Sequence, residues 1–563
     1  MKPTRKPMAV LLAALFTTAI PAIAATGTLD TTFGTGGTSL ISFGATETAN
    51  AVAIAPDGKV VVVGSTNALG NSDFAVIRYN ANGTLDTTFS SDGGTTTDIG
   101  TASQDFANAV AVQADGKILV SGYTNTGGAD DFVTVRYNVD GTLDSFFGTA
   151  GRSIVDTSDD DRATCIAVQN DGKIVVAGSA FIGGGANFSI LRYNANGSLD
   201  TSFAGDGTFN FTFGSEDICQ AIAVQGDGKI VMAGYSNNPG NNDFAVARIT
   251  SVGVLDTTFD TDGKLTTAFG DDDRANAVVI QPDGAIVVAG SWDGGSSDFA
   301  IARYSGVNGA LDTTFSGDGR QNISFAASGF GDAEFCKALA LQSDGKLLMA
   351  GYTNQSGNND FGLVRLKSDG SLDSGFATGG KMMIDVSIGG DDQARAMALQ
   401  SNGKPVVAGL SQTEMAVVRL NTIAKADARV GLSSSAPIGK NIYNNTGVGQ
   451  SLSVEIPKSG GSKTSFVRID NKGHATDTFK IAGTAGNSNF TIEYFNGSTN
   501  VTNAVKNGTF STGNLAPGKS FKLKVKITTK TGAPNKTRNV LVTGKSNTDT
   551  SATDTVLIKA KSK

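Results

Sequence analysis

The sequence predicts an all-β protein built mainly from one repeated four-stranded antiparallel sheet, and three observations lead to this prediction. An Asp-Gly or Asn-Gly pair separates two apolar runs in every unit of the repeat. Glycine accounts for 72 of the 563 residues, which indicates many tight turns. A motif of the form Leu-Asp-x-x-Phe recurs at steps of 56, 58, 56, 56, 56 and 61 residues, with copies that begin at Leu29, Leu85, Leu143, Leu199, Leu255, Leu311 and Leu372. A fixed period of this length is the signature of a repeat architecture.

One unit illustrates the predicted strands. They are Gly93–Ile99, Ala107–Val112, Lys117–Val120 and Phe132–Tyr137. The pair Asp115-Gly116 joins the second and third strands, and it predicts a type I′ hairpin, a turn that needs positive φ at both central residues. Both faces of the middle strands are apolar, as in Val60–Val63, so each sheet needs a neighbour on either side. Sheets stacked around an axis meet this need, and the seven hairpins therefore predict a seven-bladed β-propeller of four-stranded antiparallel blades.

The first 24 residues have the features of a secretory signal peptide. Lys2, Arg5 and Lys6 precede an apolar run that is too short to span a bilayer, and Ala22-Ile23-Ala24 forms a small-x-small cleavage site. Later in the chain, no run is apolar and long enough for a membrane helix. The sequence thus predicts an exported protein, secreted or at the cell surface, that is not an integral membrane protein.

Charge divides the rest of the chain. From Gly431 onward there are 18 Lys and Arg against 6 Asp and Glu, which leaves 27 basic and 46 acidic residues before it. An acidic repeat domain repels polyanions, so no nucleic-acid partner is expected for it. We predict a propeller at 25–421, a linker at 422–437 and an immunoglobulin-like β-sandwich at 438–563.

The sandwich prediction rests on alternating apolar runs separated by Gly, Asn and Pro. The segment also resembles the small sandwich modules that end many bacterial surface proteins. Seven runs are predicted as strands: Ser451–Ile456, Ser465–Ile469, Thr478–Ile481, Phe490–Phe495, Phe521–Ile527, Val540–Val542 and Thr555–Ile558.

The Leu-Asp-x-x-Phe, Asp-Gly-Lys and Phe-x-x-x-Arg-Tyr elements resemble the delta-60 repeat of bacterial, mostly exported, proteins. The resemblance covers roughly Gly27 to Asn421. It implies a propeller-like protein that is secreted or at the cell surface, and it brings no assigned activity. The seventh unit departs from the pattern, because its loop is short and Glu414-Met415 replaces Asp-Phe.

An Arg and an Asp recur in every unit, eight or nine residues apart. We interpret them as a structural pair, because a group present in every blade holds blades together, whereas a catalytic site is usually one asymmetric place. The count is offset by one: the seventh Arg, Arg419, has no Leu-Asp motif after it, and the first motif has no Arg before it. We therefore predict that Leu29–Phe33 packs against the end of blade seven, with Asp30 near Arg419.

Acidic loops and one aromatic residue are the candidate binding groups. Carboxylates and carbonyls are ligands that suit Ca²⁺, but the spacing does not match a twelve-residue Ca²⁺ loop, so a solvated acidic rim is the favoured alternative and no other cofactor is predicted. Trp292, the only Trp, is a candidate platform for stacking on a sugar. The candidate metal ligands on the rim are Asp159, Asp160, Asp272, Asp273, Asp391 and Asp392.

The sequence contains no catalytic constellation that we recognise. Its only His is His474 in the tail, which removes His-based triads and His-rich metal sites from the propeller. Cys165, Cys219 and Cys336 occupy slots that hold Ala in the first unit, and we interpret them as small packed residues. The favoured function is an exported protein that binds a protein or a polysaccharide, or acts as a scaffold. The alternatives are a carbohydrate-active enzyme that uses only carboxylates and a purely structural matrix protein.

Overall fold

The structure is a computed structural model of the chain, and it divides into two compact units. It describes residues 28–68, 70–237, 240–294, 296–325, 333–421, 426–431, 451–457, 460–471, 478–515, 519–530, 535–546 and 553–562. The predicted signal peptide at 1–24 lies outside these residues. The only helix among them is α1 (Thr502–Lys506), and none is long and apolar enough to cross a membrane.

Within the described residues, the first unit contains 28 strands, which we number in chain order. They are β1 (Thr38–Ile41), β2 (Glu47–Ile54), β3 (Val60–Thr66), β4 (Asp73–Tyr79), β5 (Gly94–Thr97), β6 (Asp105–Val112), β7 (Ile118–Thr124), β8 (Asp131–Tyr137), β9 (Arg152–Val155), β10 (Asp161–Val168), β11 (Ile174–Ile182), β12 (Gly185–Tyr193), β13 (Thr208–Phe211), β14 (Glu216–Val224), β15 (Ile230–Asn237), β16 (Asn242–Ile249), β17 (Lys264–Thr267), β18 (Asp272–Ile280), β19 (Ile286–Asp293), β20 (Ser297–Tyr304), β21 (Arg320–Ile323), β22 (Glu334–Leu341), β23 (Leu347–Thr353), β24 (Asp360–Leu366), β25 (Lys381–Ile384), β26 (Asp392–Leu399), β27 (Pro405–Ser411) and β28 (Glu414–Arg419).

These strands form seven four-stranded antiparallel sheets within the described residues, which we call blades 1 to 7. Blades 1 to 6 each take four consecutive strands, from β2–β5 to β22–β25, and blade 7 has the order β26-β27-β28-β1. A separate hydrophobic cluster lies between each pair of neighbouring blades, including blades 7 and 1. The seven clusters close the blades into a ring, as the repeated sheet pattern predicts for a propeller.

The middle strands show why both faces of a blade are apolar. In β3, Val60 and Val62 pack in the cluster shared with blade 7, whereas Val61 and Val63 pack in the cluster shared with blade 2. All four are fully buried. Because successive side chains of a strand point to opposite faces, a continuous Val run supplies both interfaces of one blade.

The blade boundaries differ from the prediction by one strand. The short strand that we placed first in each unit is the last strand of the preceding blade: Gly94–Thr97 pairs with Phe74–Ile77. The Leu-Asp motif therefore turns the chain between the third and fourth strands of one blade and does not connect two blades, as the bridge between Tyr79 and Leu85 shows. A repeating pattern has no intrinsic starting point, so its period alone does not say where each sheet begins.

The predicted ring closure is confirmed. Arg419 donates from Nε to Asp30 Oδ2 at 2.7 Å, and Leu29 forms a β-bridge with Leu420. Strand β1 then pairs antiparallel with β28 and completes blade 7. The closure thus extends beyond the predicted packing of Leu29–Phe33, because the N-terminal segment supplies a whole strand of the last blade.

The hairpins have a different turn from the predicted type I′. Gly58 has φ of +85°, but Asp57 is not among the residues with positive φ. Gly58 N donates to Ala55 O at 2.8 Å, and Ala55 N donates to Lys59 O at 2.9 Å. This is a three-residue loop with a type I turn followed by a left-handed Gly, a form in which Pro56 fits the first central position.

The first strand of each blade is the innermost one, nearest the axis of the ring. Each innermost strand carries a β-bulge, and the second strand of the blade has a Gly beside this bulge. The register of β6 shifts between Ala107 and Ala109, which leaves Asn108 as the extra residue. A Cβ on Gly122 would overlap the carbonyl oxygen of Phe106. The same close approach occurs in the other six blades, at Gly64, Gly178, Gly234, Gly290, Gly351 and Gly409. Glycine is needed here because the bulged backbone comes too near for any side chain.

In the part of the second unit that the structure describes, two five-stranded sheets surround one hydrophobic core. The strands are β29 (Ala426–Gly431), β30 (Ser451–Ile456), β31 (Ser462–Asn471), β32 (Phe479–Gly483), β33 (Phe490–Asn496), β34 (Thr499–Asn500), β35 (Phe510–Ser511), β36 (Ser520–Thr529), β37 (Thr537–Ser546) and β38 (Thr553–Ser562). The sheet orders are β29-β31-β36-β33-β34 and β30-β38-β37-β32-β35, with one parallel pair among these strands, β30 with β38.

All seven strands predicted for this unit are present. The segment 422–437 differs from the expected linker, because residues 426–431 form β29 and pair with β31. Its sequence, Ala-Asp-Ala-Arg-Val-Gly, alternates, but two of its three apolar positions are Ala, a residue that is depleted in strands, so the run does not stand out as a strand.

Candidate functional site

The repeated Arg and Asp form a structural group in every blade, and all of these side chains are buried except the half-buried Asp312. The Arg Nε lies 2.6 to 2.9 Å from an Asp Oδ2 in all seven, for example from Arg78 to Asp86. The guanidinium carbon of Arg78 also lies 4.7 Å from the centre of the Phe89 ring. Burial opposes ionisation, but hydrogen bonds from Thr88, Lys59 and Arg78 outweigh it and hold the pKa of Asp86 well below its usual range.

The same Arg side chains connect neighbouring blades. Arg78 donates from Nη1 to the carbonyl of Val139 in blade 2, and five others make the equivalent bond to the following blade: Arg136, Arg192, Arg248, Arg303 and Arg419. The structural interpretation of this pair is therefore confirmed. A group with the same internal and inter-blade bonds around the ring stabilises the fold.

A second repeated set of carboxylates begins the innermost strands. Its members are fully buried, and each accepts a hydrogen bond from a backbone N–H of the loop before it: Glu47, Asp105, Asp161, Asp217, Asp273, Glu334 and Asp392. Burial raises the pKa of Asp273 to about 6, although the N–H groups of Phe269 and Gly270 oppose the rise. These carboxylates cap the loops that join one blade to the next.

The structure separates the six predicted rim ligands into two groups. Asp273 and Asp392 are buried caps, which corrects their assignment to a solvated rim. The other four, Asp159, Asp160, Asp272 and Asp391, are exposed or half-buried. Three of these four accept a backbone N–H of the preceding blade: Asp160 from Asp130 at 3.1 Å, Asp272 from Asn242 at 2.9 Å and Asp391 from Asn359 at 3.1 Å. Only Asp392 belongs to a group of three carboxylates close enough to share an ion.

Trp292 and the cysteines pack within the fold. Trp292 is half-buried against the cluster between blades 4 and 5, and its Nε1 atom is buried, so it is not an exposed platform for a sugar. Cys219 and Cys336 are buried free thiols, and Cys165 is a half-buried one. Burial raises the pKa of the Cys336 thiol to about 12, which suits the predicted role as a small packed residue. His474 lies outside the described residues.

A cavity on the axis of the ring is the feature that the sequence analysis missed. Its volume is about 500 Å³, and all seven innermost strands line it. The extra residue of each β-bulge is part of the lining: Asn50, Asn108, Thr164, Gln220, Asn276, Lys337 and Arg395. A polar residue between small apolar ones recurs at this place in every unit, and this sequence pattern was the signal that could have predicted the lining of the cavity.

Several of these polar residues also join adjacent blades. Asn50 Nδ2 donates to Ala107 O at 2.9 Å, and Asn108 makes the same bond to Ala163 O at 2.9 Å. Thr164 and Asn276 donate in the same direction around the ring, to Cys219 O and Cys336 O, each at 2.8 Å. A short amide or hydroxyl side chain is therefore sufficient for the structural role of this position.

Blades 6 and 7 depart from that pattern with two neighbouring cations. Arg395 donates from Nη1 to Asn50 Oδ1 at 2.9 Å, and Lys337 Nζ lies 5.8 Å from the centre of the Phe335 ring. Burial lowers the pKa of Lys337, and the charges of Arg395 and Arg274 lower it further, whereas Cys336 opposes the shift. Among the described residues, no carboxylate lines the cavity. The arrangement concentrates positive charge at one side of a polar chamber.

Comparison with known proteins agrees with the repeat. The family described as "Domain of unknown function (DUF5122) beta-propeller" matches six segments, each running from a hairpin turn through the Leu-Asp-x-x-Phe motif: 55–89, 113–147, 169–203, 225–259, 281–315 and 342–376. No curated protein matches the chain.

Three solved structures illustrate the structural likeness. A glucose dehydrogenase is 12% identical with a TM-score of 0.34, over 56% of this chain and 96% of its own. An ulvan lyase, a polysaccharide lyase, is 10% identical with a TM-score of 0.40, over 67% and 94%. Sqt1 of Chaetomium thermophilum is 12% identical with a TM-score of 0.39, over 67% and 96%. The repeated sheets, the closed ring and the six family matches identify the chain as a β-propeller repeat protein.

Proposed function

We propose that the protein is an exported binding protein that works at the cell surface or outside the cell, and that its ligand enters the axial cavity with an anionic group. The observation that carries this proposal is the pair Lys337 and Arg395 in a cavity that no described carboxylate lines. Two like charges held close together in a partly dehydrated place destabilise each other, and an anion relieves the cost.

The rest of the lining suits a small polar ligand. A volume of about 500 Å³ falls within the range of small-molecule sites. The amide and hydroxyl side chains around the ring offer hydrogen bonds to the hydroxyl groups of a saccharide. Because the propeller carries many more acidic than basic residues, a ligand with one or few anionic groups is favoured over a polyanion. We therefore assign an acidic saccharide, such as a uronic acid at the end of a chain, as the ligand class.

The variation at this position argues for binding over a purely structural role. Five blades have Asn, Thr or Gln at the bulge, and most of these make the blade-to-blade bond described above. Lys and Arg add charge that this bond does not need. In a repeat protein, the positions that depart from the repeat are where an asymmetric function is expected.

The test is calorimetric titration of the mature protein with oligosaccharides that end in a uronic acid, and with their neutral counterparts. Binding of the acidic series is expected, and Lys337→Gln or Arg395→Gln should weaken it at least tenfold, since each removes a charged contact worth ~1.5–3 kcal/mol. Asn276→Gln is the matched control, because it changes a residue of the same ring without changing its charge.

Equal binding of the acidic and neutral series, or affinities unaffected by both charge substitutions, would reject the axial site. Binding of short acidic peptides in place of the saccharides would keep the site and replace the ligand class. Circular dichroism of each variant checks that the ring is folded.

A further inference from the structure

Each junction between neighbouring blades has three equivalent positions in the chain. They are the start of the third strand, the residue after the fourth strand, and the start of the next blade's innermost strand. At three of the seven junctions all three residues are Asp: Asp73, Asp98 and Asp105; Asp131, Asp156 and Asp161; Asp360, Asp385 and Asp392. Within each group, one carboxylate oxygen of every member lies within 4.8 Å of the others.

Two of these groups contain a buried carboxylate oxygen that lacks a hydrogen-bond donor. Asp73 is 0% exposed; its Oδ1 accepts from Asn71 Nδ2 at 3.3 Å, and its Oδ2 has no partner among the described residues. Asp360 is 3% exposed; its Oδ2 accepts from Ser356 Oγ, and its Oδ1 has no such partner. A buried carboxylate oxygen without a donor costs free energy, so both junctions lack a positive partner.

Basic side chains do not supply that partner. Among the described residues, no Lys or Arg forms an ion pair with any of the six carboxylates at these two junctions. Arg152 lies nearby, but its guanidinium donates to the backbone carbonyls of Ile99 and Asp98, each at 3.0 Å. The buried oxygens of Asp73 and Asp360 therefore face other carboxylates without compensation.

We propose that these two junctions each bind a Ca²⁺ ion. Ca²⁺ takes oxygen ligands at 2.3 to 2.6 Å, so oxygens on opposite sides of one ion lie up to about 5 Å apart, as the three carboxylates here do. Asp98 and Asp385 are exposed, which leaves an opening for the ion and the waters that complete its coordination. The ion would join two blades, because Asp73 and Asp98 belong to blade 1 and Asp105 to blade 2.

Blade 4 supplies a natural control for this proposal. Its junction with blade 5 has Asp243 and Asp273 at the first and third positions. The middle position is Ala268, which follows β17 as Asp98 follows β5. Two of the three ligands are thus present in the same backbone setting.

The experiment measures Ca²⁺ binding by equilibrium dialysis of the mature protein after removal of metal with EDTA. Asp98→Ala and Asp385→Ala should each remove one bound ion, and Ala268→Asp should add one. The melting temperature should rise with added Ca²⁺ through mass action, and this rise should shrink in the two Ala variants. Asp271→Ala, at an exposed rim residue outside the three groups, should leave both measurements unchanged.

The two Ala variants keep the buried carboxylates and remove a repulsive charge. In EDTA, their melting temperatures should therefore equal or exceed that of the unmodified protein. A folded variant that has lost an ion is thereby distinguished from one that has failed to fold. Absence of binding at millimolar Ca²⁺, or an ion count that none of the three substitutions changes, would overturn the proposal. In that case the buried carboxyl groups are simply protonated.

Discussion

Replacement of Phe33 by Ala tests whether the ring is closed in solution by the N-terminal segment. Phe33 is fully buried and packs in the cluster between blades 7 and 1 with Val406 and Val417. The guanidinium carbon of Arg419 lies 4.8 Å from the centre of its ring. In the other blades, the equivalent Phe follows the third strand of its own blade directly in the chain, whereas Phe33 reaches blade 7 only through the closure.

The expected loss of unfolding free energy is ~3–5 kcal/mol, which is the usual cost of removing a buried Phe side chain. Since whole domains are stable by only about 5–15 kcal/mol, this loss is a large part of the total. Phe146 supplies the matched control: it lies within the same motif of blade 2, one residue before the buried Phe147, but is 85% exposed, and Phe146→Ala should change the free energy by less than about 0.5 kcal/mol.

Tryptophan fluorescence during urea unfolding isolates the propeller from the second unit. Trp292 is the only Trp of the chain, and it lies in blade 5, away from the closure between blades 7 and 1. A lower midpoint for Phe33→Ala in this signal means that the closure stabilises the ring as one cooperative unit. Identical Trp transitions for Phe33→Ala and Phe146→Ala would refute the closure.

Three further predictions concern the backbone, pH and export. Gly122→Ala should lower the free energy of unfolding, measured in urea, by at least ~1–3 kcal/mol, because the new Cβ would overlap a carbonyl oxygen of the bulged strand. Gly226→Ala is the control and should not lower it, because there is open space around its Cβ. Burial, together with the charges of Asp98 and Asp105, raises the pKa of Asp73 from 3.8 to about 6. The folded carboxyl thus keeps its proton to higher pH than the unfolded one. Its contribution to the stability of the folded protein is complete below pH 3.8 and is lost as pH rises through about 6. In EDTA, Asp73→Asn should remove this part of the decline in melting temperature; a decline of the same size in the variant would contradict the assignment. N-terminal sequencing of secreted protein should start at Ala25, and material that begins at Met1 would argue against export by a cleaved signal.

The sequence was sufficient for the strands and the closure because both depend on repeated local features. The Val60–Val63 run requires an interface on both faces. Arg419 has no Leu-Asp motif after it, so its partner has to be Asp30, which comes from the other end of the chain. The division into blades could not be obtained in this way. Whether Gly94–Thr97 pairs with the strand before it or after it depends on hydrogen bonds between strands, and a periodic sequence is compatible with both choices.

The candidate sites were harder to predict because charge alone does not distinguish exposed carboxylates from buried ones. Asp391 and Asp392 are adjacent in the sequence, yet Asp391 is exposed and Asp392 is a buried cap for the loop before its strand. Alternation along a strand places neighbours on opposite faces, but it does not say which face is buried in the junction. The axial cavity was missed for a related reason, since only the β-bulge directs Lys337 and Arg395 to the axis.

A comparison of the seven blades separates structure from function more sharply than the sequence of any single blade. Positions with one physical task have one residue type: Gly opposite the bulge in all seven blades, and Arg paired with Asp in all seven. The bulge residue and the residue after the fourth strand vary, and their variants are charged in some blades only. The ring would close with Asn at every bulge and Ala or Ser after every fourth strand, as individual blades demonstrate. The charges of Lys337, Arg395, Asp98 and Asp385 therefore exceed what the architecture requires, and this excess is the reason why we propose ligands at these places.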